Sequence, residues 1–97
     1  MTVYVDKMRA SLGRMFMCHM LADCEEELHA MASRIGVARR HHQHPGTARS
    51  HYDICLAKRA LAVRYGAVEI GRREVGEIIR QRRARCSDER RRVAERS

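Results

Sequence analysis

The sequence predicts a small α+β domain followed by a basic helical extension. Its 97 residues suffice for one domain with a small core. Three short β-type runs alternate with two amphipathic helical patterns before residue 71, and arginines dominate the remainder. We therefore predict a short β-sheet covered by two helices over residues 1–71, and an arginine-rich helical extension over residues 72–97.

The β-type runs cover residues 2–6, 14–22 and 67–70. Residues 2–6 (TVYVD) are β-branched and aromatic, and they end in a carboxylate, Asp6. Residues 14–22 (RMFMCHMLA) are almost continuously apolar, and their length favours a buried strand over a helix. Alternation along that strand makes His19 the one polar group on an apolar face. Residues 7–13 are predicted to form a loop.

The clearest helical pattern covers residues 23–36. Asp23 is predicted to cap its first turn, with Glu26 three residues later as in a capping box. Gly36 is predicted to end the helix. The buried stripe follows the spacing i, i+3, i+4, i+7 and consists of Leu28, Met31, Ala32 and Ile35.

The second helical pattern covers residues 51–66 and follows a polar loop, residues 38–50, which holds the only proline. Asp53 is the predicted N-cap of this helix, and Gly66 is its predicted end. Its predicted buried stripe consists of Ile54, Ala57, Leu61 and Tyr65.

Residues 72–97 combine a short apolar segment with a long charged one. Val75, Ile78 and Ile79 are predicted to dock one or two helical turns on the domain. Ser87, followed by two acidic residues, is predicted to cap a second short helix.

Positive charge, nearly all of it from arginine, dominates the composition. The formal net charge is +8, from 20 Lys+Arg against 12 Asp+Glu. Because arginine pairs with phosphate through two hydrogen bonds, this balance predicts nucleic acid or a nucleotide as the partner. Plain solubility is the alternative. The residues predicted to contact nucleic-acid phosphates are Arg80, Arg82, Arg83, Arg85, Arg90, Arg91 and Arg92.

The four cysteines do not follow the pattern of a redox motif or a zinc knuckle. No two of them are separated by two residues, and residues 1–20 lack the pattern of a secretory signal. We therefore expect reduced, mostly buried thiols in a cytoplasmic protein. No apolar run approaches the ~18 residues of a membrane span, so no membrane partner is expected.

Several stretches taken together resemble one protein family. They are YVD at 4–6, CHMLAD at 18–23, EELHAMASRIG at 26–36, HYDI at 51–54 and KRALAVRYGAVEI at 58–70. On these stretches, residues 2–70 resemble the family catalogued as domain of unknown function 4031, small proteins of bacteria and their phages. The resemblance implies a domain and no particular reaction.

Carboxylates and imidazoles are predicted to gather where strands end and helices begin. The candidate catalytic residues, all matched by the resemblance, are Asp6, His19, Asp23, His51 and Asp53. Together they could bind a divalent metal ion or act as acid and base, and three basic residues, Arg9, Lys58 and Arg59, would suit a phosphate. The combination would suit phosphodiester hydrolysis, and a binding pocket without catalysis is the alternative.

Structural roles are the alternative for the same candidates. Helix capping would explain Asp23 and Asp53, and an ion pair with a nearby arginine would explain Asp6. A core histidine bonded to the backbone would explain His19. The nearby run of His41, His42 and His44 invites a metal prediction, but its spacing matches neither a helical pair nor a zinc finger.

A second class of function also fits the basic tail. A small phage-type protein could use its arginines against an acidic surface of a host protein, modulating that protein without catalysis. A stoichiometric protein complex without nucleic-acid affinity would distinguish this alternative from the first.

Overall fold

The computed structural model describes the backbone of residues 2–7, 10–12 and 15–96, and the side chains of residues 2–7 and 16–85. In chain order the elements are β1 (Val3–Asp6), β2 (Ala10–Leu12), β3 (Met15–Ala22), α1 (Glu25–Arg34), β4 (His42–Gln43), β5 (His51–Cys55), α2 (Leu56–Arg64), β6 (Val68–Ile70) and α3 (Arg72–Arg96). A single 3-10 turn, Arg39–His41, precedes β4. The predicted α+β class is confirmed.

Six strands of the described chain form one mixed sheet around β3. Five of them lie in the order β4-β5-β3-β1-β6, and β2 pairs with β3. The pair β1–β6 is parallel, and the other pairs are antiparallel. β3 is the longest strand and pairs with β1, β2 and β5. It is therefore the central strand, and its side chains lie in the middle of both faces of the sheet.

One face of the sheet packs against α1 and α2 to form the hydrophobic core. Alternation along β3 directs Cys18, Met20 and Ala22 to this face, where all three are at most 1% exposed. The neighbouring strands add Val3, Val5, Tyr52 and Ile54. The predicted stripe of the first helix is confirmed, because Leu28, Met31, Ala32 and Ile35 are all buried in this cluster.

The end of α1 also agrees with the prediction. Gly36 has φ +78°, a left-handed conformation that a residue without a Cβ adopts readily. The N–H of Val37 then donates to the carbonyl of Ala32 at 2.8 Å, and this bond closes the last turn.

The stretch predicted to open the second helix is a strand. Residues 51–55 alternate between half-buried and buried side chains, and they pair with β3. The helix therefore begins at Leu56, and Asp53 is not its cap. Because the helix starts later than predicted, the expected stripe is only partly right. Ile54 lies in the core and Leu61 packs against it, whereas Ala57 and Tyr65 are exposed and Ala62 is the buried helix residue.

Three smaller predictions are also wrong. The predicted loop at residues 7–13 contains β2, which extends the pairing along β3. Asp23 does not cap α1; its carboxylate accepts the Thr2 N–H and the Tyr4 hydroxyl, each at 2.9 Å. No second helix begins at Ser87, because α3 continues unbroken to Arg96.

The last helix, α3, lies on the second face of the sheet, which is the face opposite α1 and α2. Near its start, Arg72 and Val75 line a cavity together with Asp6 and His19. Further along, the Arg82 guanidinium donates to the carbonyls of Ala22, Ala48 and Ser50. In the described part of the chain, no helix is both long enough and apolar enough to cross a membrane.

Candidate functional site

Four of the five predicted candidates lie in a row across the second face of the sheet. Asp6 ends β1, His19 lies in the middle of β3, and His51 and Asp53 lie on β5. His19 and Asp53 are register partners on antiparallel strands, so their side chains project from the same face. We call Asp6, His19, Asp53 and His51 the His–Asp row.

Asp6 holds His19 from one side with both of its carboxylate oxygens. Its Oδ1 accepts the backbone N–H of His19 at 2.8 Å, and its Oδ2 lies 2.9 Å from His19 Nδ1. Asp6 is 4% exposed, so this contact lies in a poorly solvated environment. The hydrogen bond to Asp6 raises the pKa of His19, although partial burial of the ring opposes the shift.

Asp53 lies between the two imidazoles of the row. Its Oδ1 is 3.5 Å from His19 Nε2 and 3.3 Å from His51 Nε2, both longer than a usual N–H···O hydrogen bond. The other nitrogen of His51, Nδ1, lies 2.6 Å from the carbonyl oxygen of Arg49 and therefore donates to it. The rings of His19 and His51 meet edge to face, with centroids 4.7 Å apart.

A basic cavity adjoins the row on the Asp6 side. It has a volume of about 350 Å³ and is lined by Asp6, Lys7, His19, Arg72 and Val75. Sequence reasoning missed both of its cations. The position of Lys7 directly after the candidate Asp6 could have pointed to it in the sequence. Arg72 could not have been found this way, because it reaches the cavity only where α3 begins beside the end of β1.

The predicted phosphate-binding residues are distributed differently. Lys58 and Asp53 line another cavity, of about 260 Å³. Arg59 donates through Nε to the backbone carbonyl of Asp6 at 2.9 Å and pairs with Glu69 at 2.8 Å. Arg59 thus stabilises the end of β1 through the backbone of Asp6 and does not face the row as a phosphate ligand would. Arg9 lies outside the described residues.

The fifth candidate, Asp23, does not belong to the row. It lies past the other end of β3 and lines a cavity of about 300 Å³ together with Ser50 and Arg82. The hydrogen bonds of Asp23 to Thr2 and Tyr4 join the start of β1 to the end of β3, which gives it a structural role.

The predicted nucleic-acid contacts on α3 divide into three groups. Arg80, Arg83 and Arg85 are exposed. Arg82 is half-buried, and its guanidinium is occupied by three backbone carbonyls. The side chains of Arg90, Arg91 and Arg92 lie outside the described part of the helix.

The histidines of the loop do not gather into one site. His42 packs on the core side, where its Nε2 lies 2.7 Å from Ser50 Oγ and its ring stacks on Tyr52. His44 lies near the row instead, with its ring centroid 5.7 Å from that of His51. Among the described residues, the three that bring potential metal-ligand atoms within 4.8 Å of one another are His19, His51 and Asp53.

Cys18 cannot serve the row as a nucleophile. It precedes His19 in sequence, but strand alternation directs its thiol into the core. Burial, reinforced by the charge of Asp6, raises the pKa of Cys18 to about 11. The thiol therefore stays protonated near neutral pH. Cys18, Cys24 and Cys55 are all free thiols.

Fold and site together define a small α+β protein. It carries the His–Asp row on the sheet face opposite the core and has an arginine-rich helix beside that row. The chain belongs to the family described as protein of unknown function (DUF4031), whose model matches residues 3–82. The match extends past the predicted limit near residue 70 and includes the part of α3 that docks on the sheet. No curated protein and no solved structure matches the chain.

Proposed function

We propose that this protein binds nucleic acid through the arginines exposed on α3 and hydrolyses phosphodiesters at the His–Asp row. The observation that carries the proposal is the excess positive charge of α3, which has ten arginines against five acidic residues from residue 72 onward. Among the described side chains, the ion pairs are Arg59–Glu69 and the three histidine–aspartate contacts of the row. None of these ion pairs between described side chains involves the exposed α3 residues Arg73, Arg80, Arg83 and Arg85.

The spacing of these arginines suits a phosphate backbone. Arg73, Arg80 and Arg83 follow the intervals i, i+7 and i+10, so they share one side of the helix, away from the docked Arg82. At 1.5 Å per residue, the 25 residues of α3 span roughly 37 Å, enough to follow several phosphates. Arginine contacts to phosphate supply affinity without reading base sequence.

The row supports the second part of the proposal. In hydrolysis, water adds to phosphorus, the P–O bond to the leaving group breaks, and the leaving oxygen takes up a proton. The row could receive the proton that water releases and return a proton to the leaving oxygen. Lys7 and Arg72, which line the adjoining cavity, could neutralise the phosphate oxygens.

Binding is tested by fluorescence anisotropy with labelled single- and double-stranded oligonucleotides across a salt series. The test variant replaces Arg73, Arg80 and Arg83 by glutamine. We expect tight binding by the natural chain. A plot of the logarithm of the binding constant against the logarithm of salt concentration should be less steep for the variant, by about 0.9 for each phosphate that it no longer neutralises. The matched control removes the same charge from exposed arginines elsewhere, Arg39, Arg49 and Arg64, and should bind nearly as well.

Two results would contradict the binding proposal. The first is no affinity for either oligonucleotide at low salt. That result would instead favour an acidic protein surface as the partner of the arginines. The second is an equal loss of affinity in the test and control variants, which would indicate a diffuse charge effect.

Hydrolysis is tested separately, by following end-labelled oligonucleotides for cleavage in the presence of divalent metal ions. Asp53→Asn should abolish cleavage while leaving anisotropy binding unchanged, because Asp53 lies in the row and away from the arginine side of α3. Glu26→Gln, an exposed change on α1, is the control and should cleave normally. Cleavage retained in Asp53→Asn would exclude the row as the site.

A further inference from the structure

We propose that His19, His51 and Asp53 bind one divalent transition-metal ion, with Asp6 and the carbonyl of Arg49 orienting the two imidazoles. This site goes beyond the proposed function, and it does not require that nucleic acid bind to the protein. Three features support it: the position of the protons, the spacing of the three ligand atoms and the chemistry of those atoms.

The outer hydrogen bonds determine which ring nitrogens are free. His51 Nδ1 donates to the Arg49 carbonyl at 2.6 Å, so a neutral His51 carries its lone pair on Nε2. His19 Nδ1 faces the buried carboxylate of Asp6 at 2.9 Å, which likewise leaves the lone pair on Nε2. Both lone pairs therefore face the carboxylate of Asp53. Metal-binding histidines are oriented in the same way, by a carboxylate or a backbone carbonyl on the second nitrogen.

Two of the three distances between ligand atoms fit ligands that share one ion, and the third is at most 4.8 Å. Metal–nitrogen and metal–oxygen bonds of about 2.0–2.2 Å at tetrahedral angles place ligand atoms roughly 3.3–3.6 Å apart. Asp53 Oδ1 lies 3.3 Å from His51 Nε2 and 3.5 Å from His19 Nε2. Direct N–H···O hydrogen bonds would draw the same atoms to about 2.7–3.2 Å.

The donor set selects the class of metal. Two imidazole nitrogens and one carboxylate oxygen suit Zn²⁺, Co²⁺ or a related first-row ion, whereas Mg²⁺ and Ca²⁺ prefer oxygen ligands throughout. Three protein ligands leave at least one coordination position for water, as in catalytic rather than structural sites. The side chains of Asp53 and His19 are 40% and 32% exposed, so solvent can reach the site.

In the competing interpretation, His19 and His51 bind Asp53 through protons and no metal ion is present. Both rings would then be imidazolium ions with protonated Nε2 atoms on either side of one carboxylate. The two interpretations differ in one measurable respect: only the first predicts saturable, stoichiometric binding of a metal ion by the protein alone.

The test is isothermal titration calorimetry of the metal-free, full-length chain with Zn²⁺, Co²⁺ and Mg²⁺, in the absence of nucleic acid. We expect one Zn²⁺ and one Co²⁺ per chain, and no saturable heat with Mg²⁺ at the same concentrations. The absorption spectrum of the Co²⁺ complex should show the intense visible bands of a four-coordinate ion.

Four variants locate the ion. His51→Ala and the isosteric Asp53→Asn each remove a ligand and should abolish stoichiometric binding. Asp6→Asn keeps all three ligands but loses the orienting carboxylate, so affinity should fall roughly 10–100-fold at an unchanged stoichiometry of one. Glu26→Gln, an exposed carboxylate on α1, is the control and should bind normally. Amide NMR spectra verify that each variant is folded.

The proposal fails if the natural chain binds neither Zn²⁺ nor Co²⁺ stoichiometrically, or if folded His51→Ala and Asp53→Asn bind like the natural chain. It also fails if Glu26→Gln loses as much affinity as His51→Ala, because the loss would then not be specific to the row. Nucleic acid is absent from every titration, so these outcomes are independent of the binding part of the proposed function.

Discussion

Polar side chains that are buried or half-buried in this domain pair with each other. Asp6 contacts His19, Asp23 accepts the Tyr4 hydroxyl, and His42 contacts Ser50. Among the described residues, no buried side-chain nitrogen or oxygen lacks a hydrogen-bond partner. An unpaired buried polar group costs about 1–3 kcal/mol, so each pair constrains the strand positions that bring its members together.

Acidification should weaken the fold through His42. Burial lowers the pKa of His42 below its ordinary value of 6.5, and neighbouring His29 adds to the shift. Below pH 6.5 the unfolded chain gains a proton that the folded chain does not yet take up. The free energy of unfolding should therefore fall until the pH reaches the folded-state pKa.

Urea unfolding at several pH values, compared between the natural chain and His42→Gln, measures this effect. The variant lacks the titrating group, so its stability should depend less on pH in that range. An NMR titration that placed the pKa of His42 at 6.5 or above would contradict the prediction.

At the scale of elements, one side chain of α3 attaches the helix to the sheet. Arg82 donates to the carbonyls of Ala22 at the end of β3 and of Ala48 and Ser50 just before β5. These carbonyls lie where strand pairing stops, so the guanidinium replaces hydrogen bonds that the sheet cannot supply. Arg82 therefore connects three segments that are distant in sequence.

Replacement of Arg82 should destabilise the protein, whereas replacement of its neighbour should not. Hydrogen bonds to a charged group contribute about 1.5–3 kcal/mol, so Arg82→Ala should lower the free energy of unfolding by roughly that amount. Arg83→Ala removes the same charge from an exposed position and should change stability by less than about 0.5 kcal/mol. Equal denaturation midpoints for the two variants would show that Arg82 does not hold the helix.

The whole molecule is elongated, with extents of 50 × 26 × 25 Å. The sheet with α1 and α2 forms the compact part. The long helix α3 starts beside the second face of the sheet, extends past it, and has arginines along its whole length. Leu21 is 2% exposed although it lies on that face, outside the core formed with α1 and α2. The first turns of α3 contact this face through the cavity lined by Val75 and through the bonds of Arg82, in agreement with a family match that ends at Arg82.

Truncation separates the docked and projecting parts of α3. A chain ending at Arg85 retains Arg82 and the apolar residues near the start of the helix, so its stability should match that of the full chain. A chain ending at Gly71 lacks the bonds of Arg82, so its free energy of unfolding should fall by roughly 1.5–3 kcal/mol. Thermal and urea unfolding of both chains measures the difference. A fully stable shorter chain would instead support an independent domain over residues 1–71.

Local patterns predicted part of this fold well. The strand ending at Asp6, the buried strand before Ala22 and the stripe of α1 all follow from periodicity within a few neighbouring residues. The prediction failed at residues 51–55, where Asp53 before an apolar run resembles a helix cap. Pairing with β3 outweighs that local preference, because it buries Tyr52 and Ile54 and supplies backbone hydrogen bonds.

Local patterns and motifs were enough to predict the α+β class, the family, the basic character of the last helix and the four residues of the His–Asp row. Tertiary contacts were needed to show that Asp23 lies apart, that Lys7 and Arg72 share a cavity with the row, and that Arg82 attaches α3 to the sheet. A helical or strand pattern depends on neighbours a few residues away. A site depends on strand register and on which distant groups satisfy one another's hydrogen bonds.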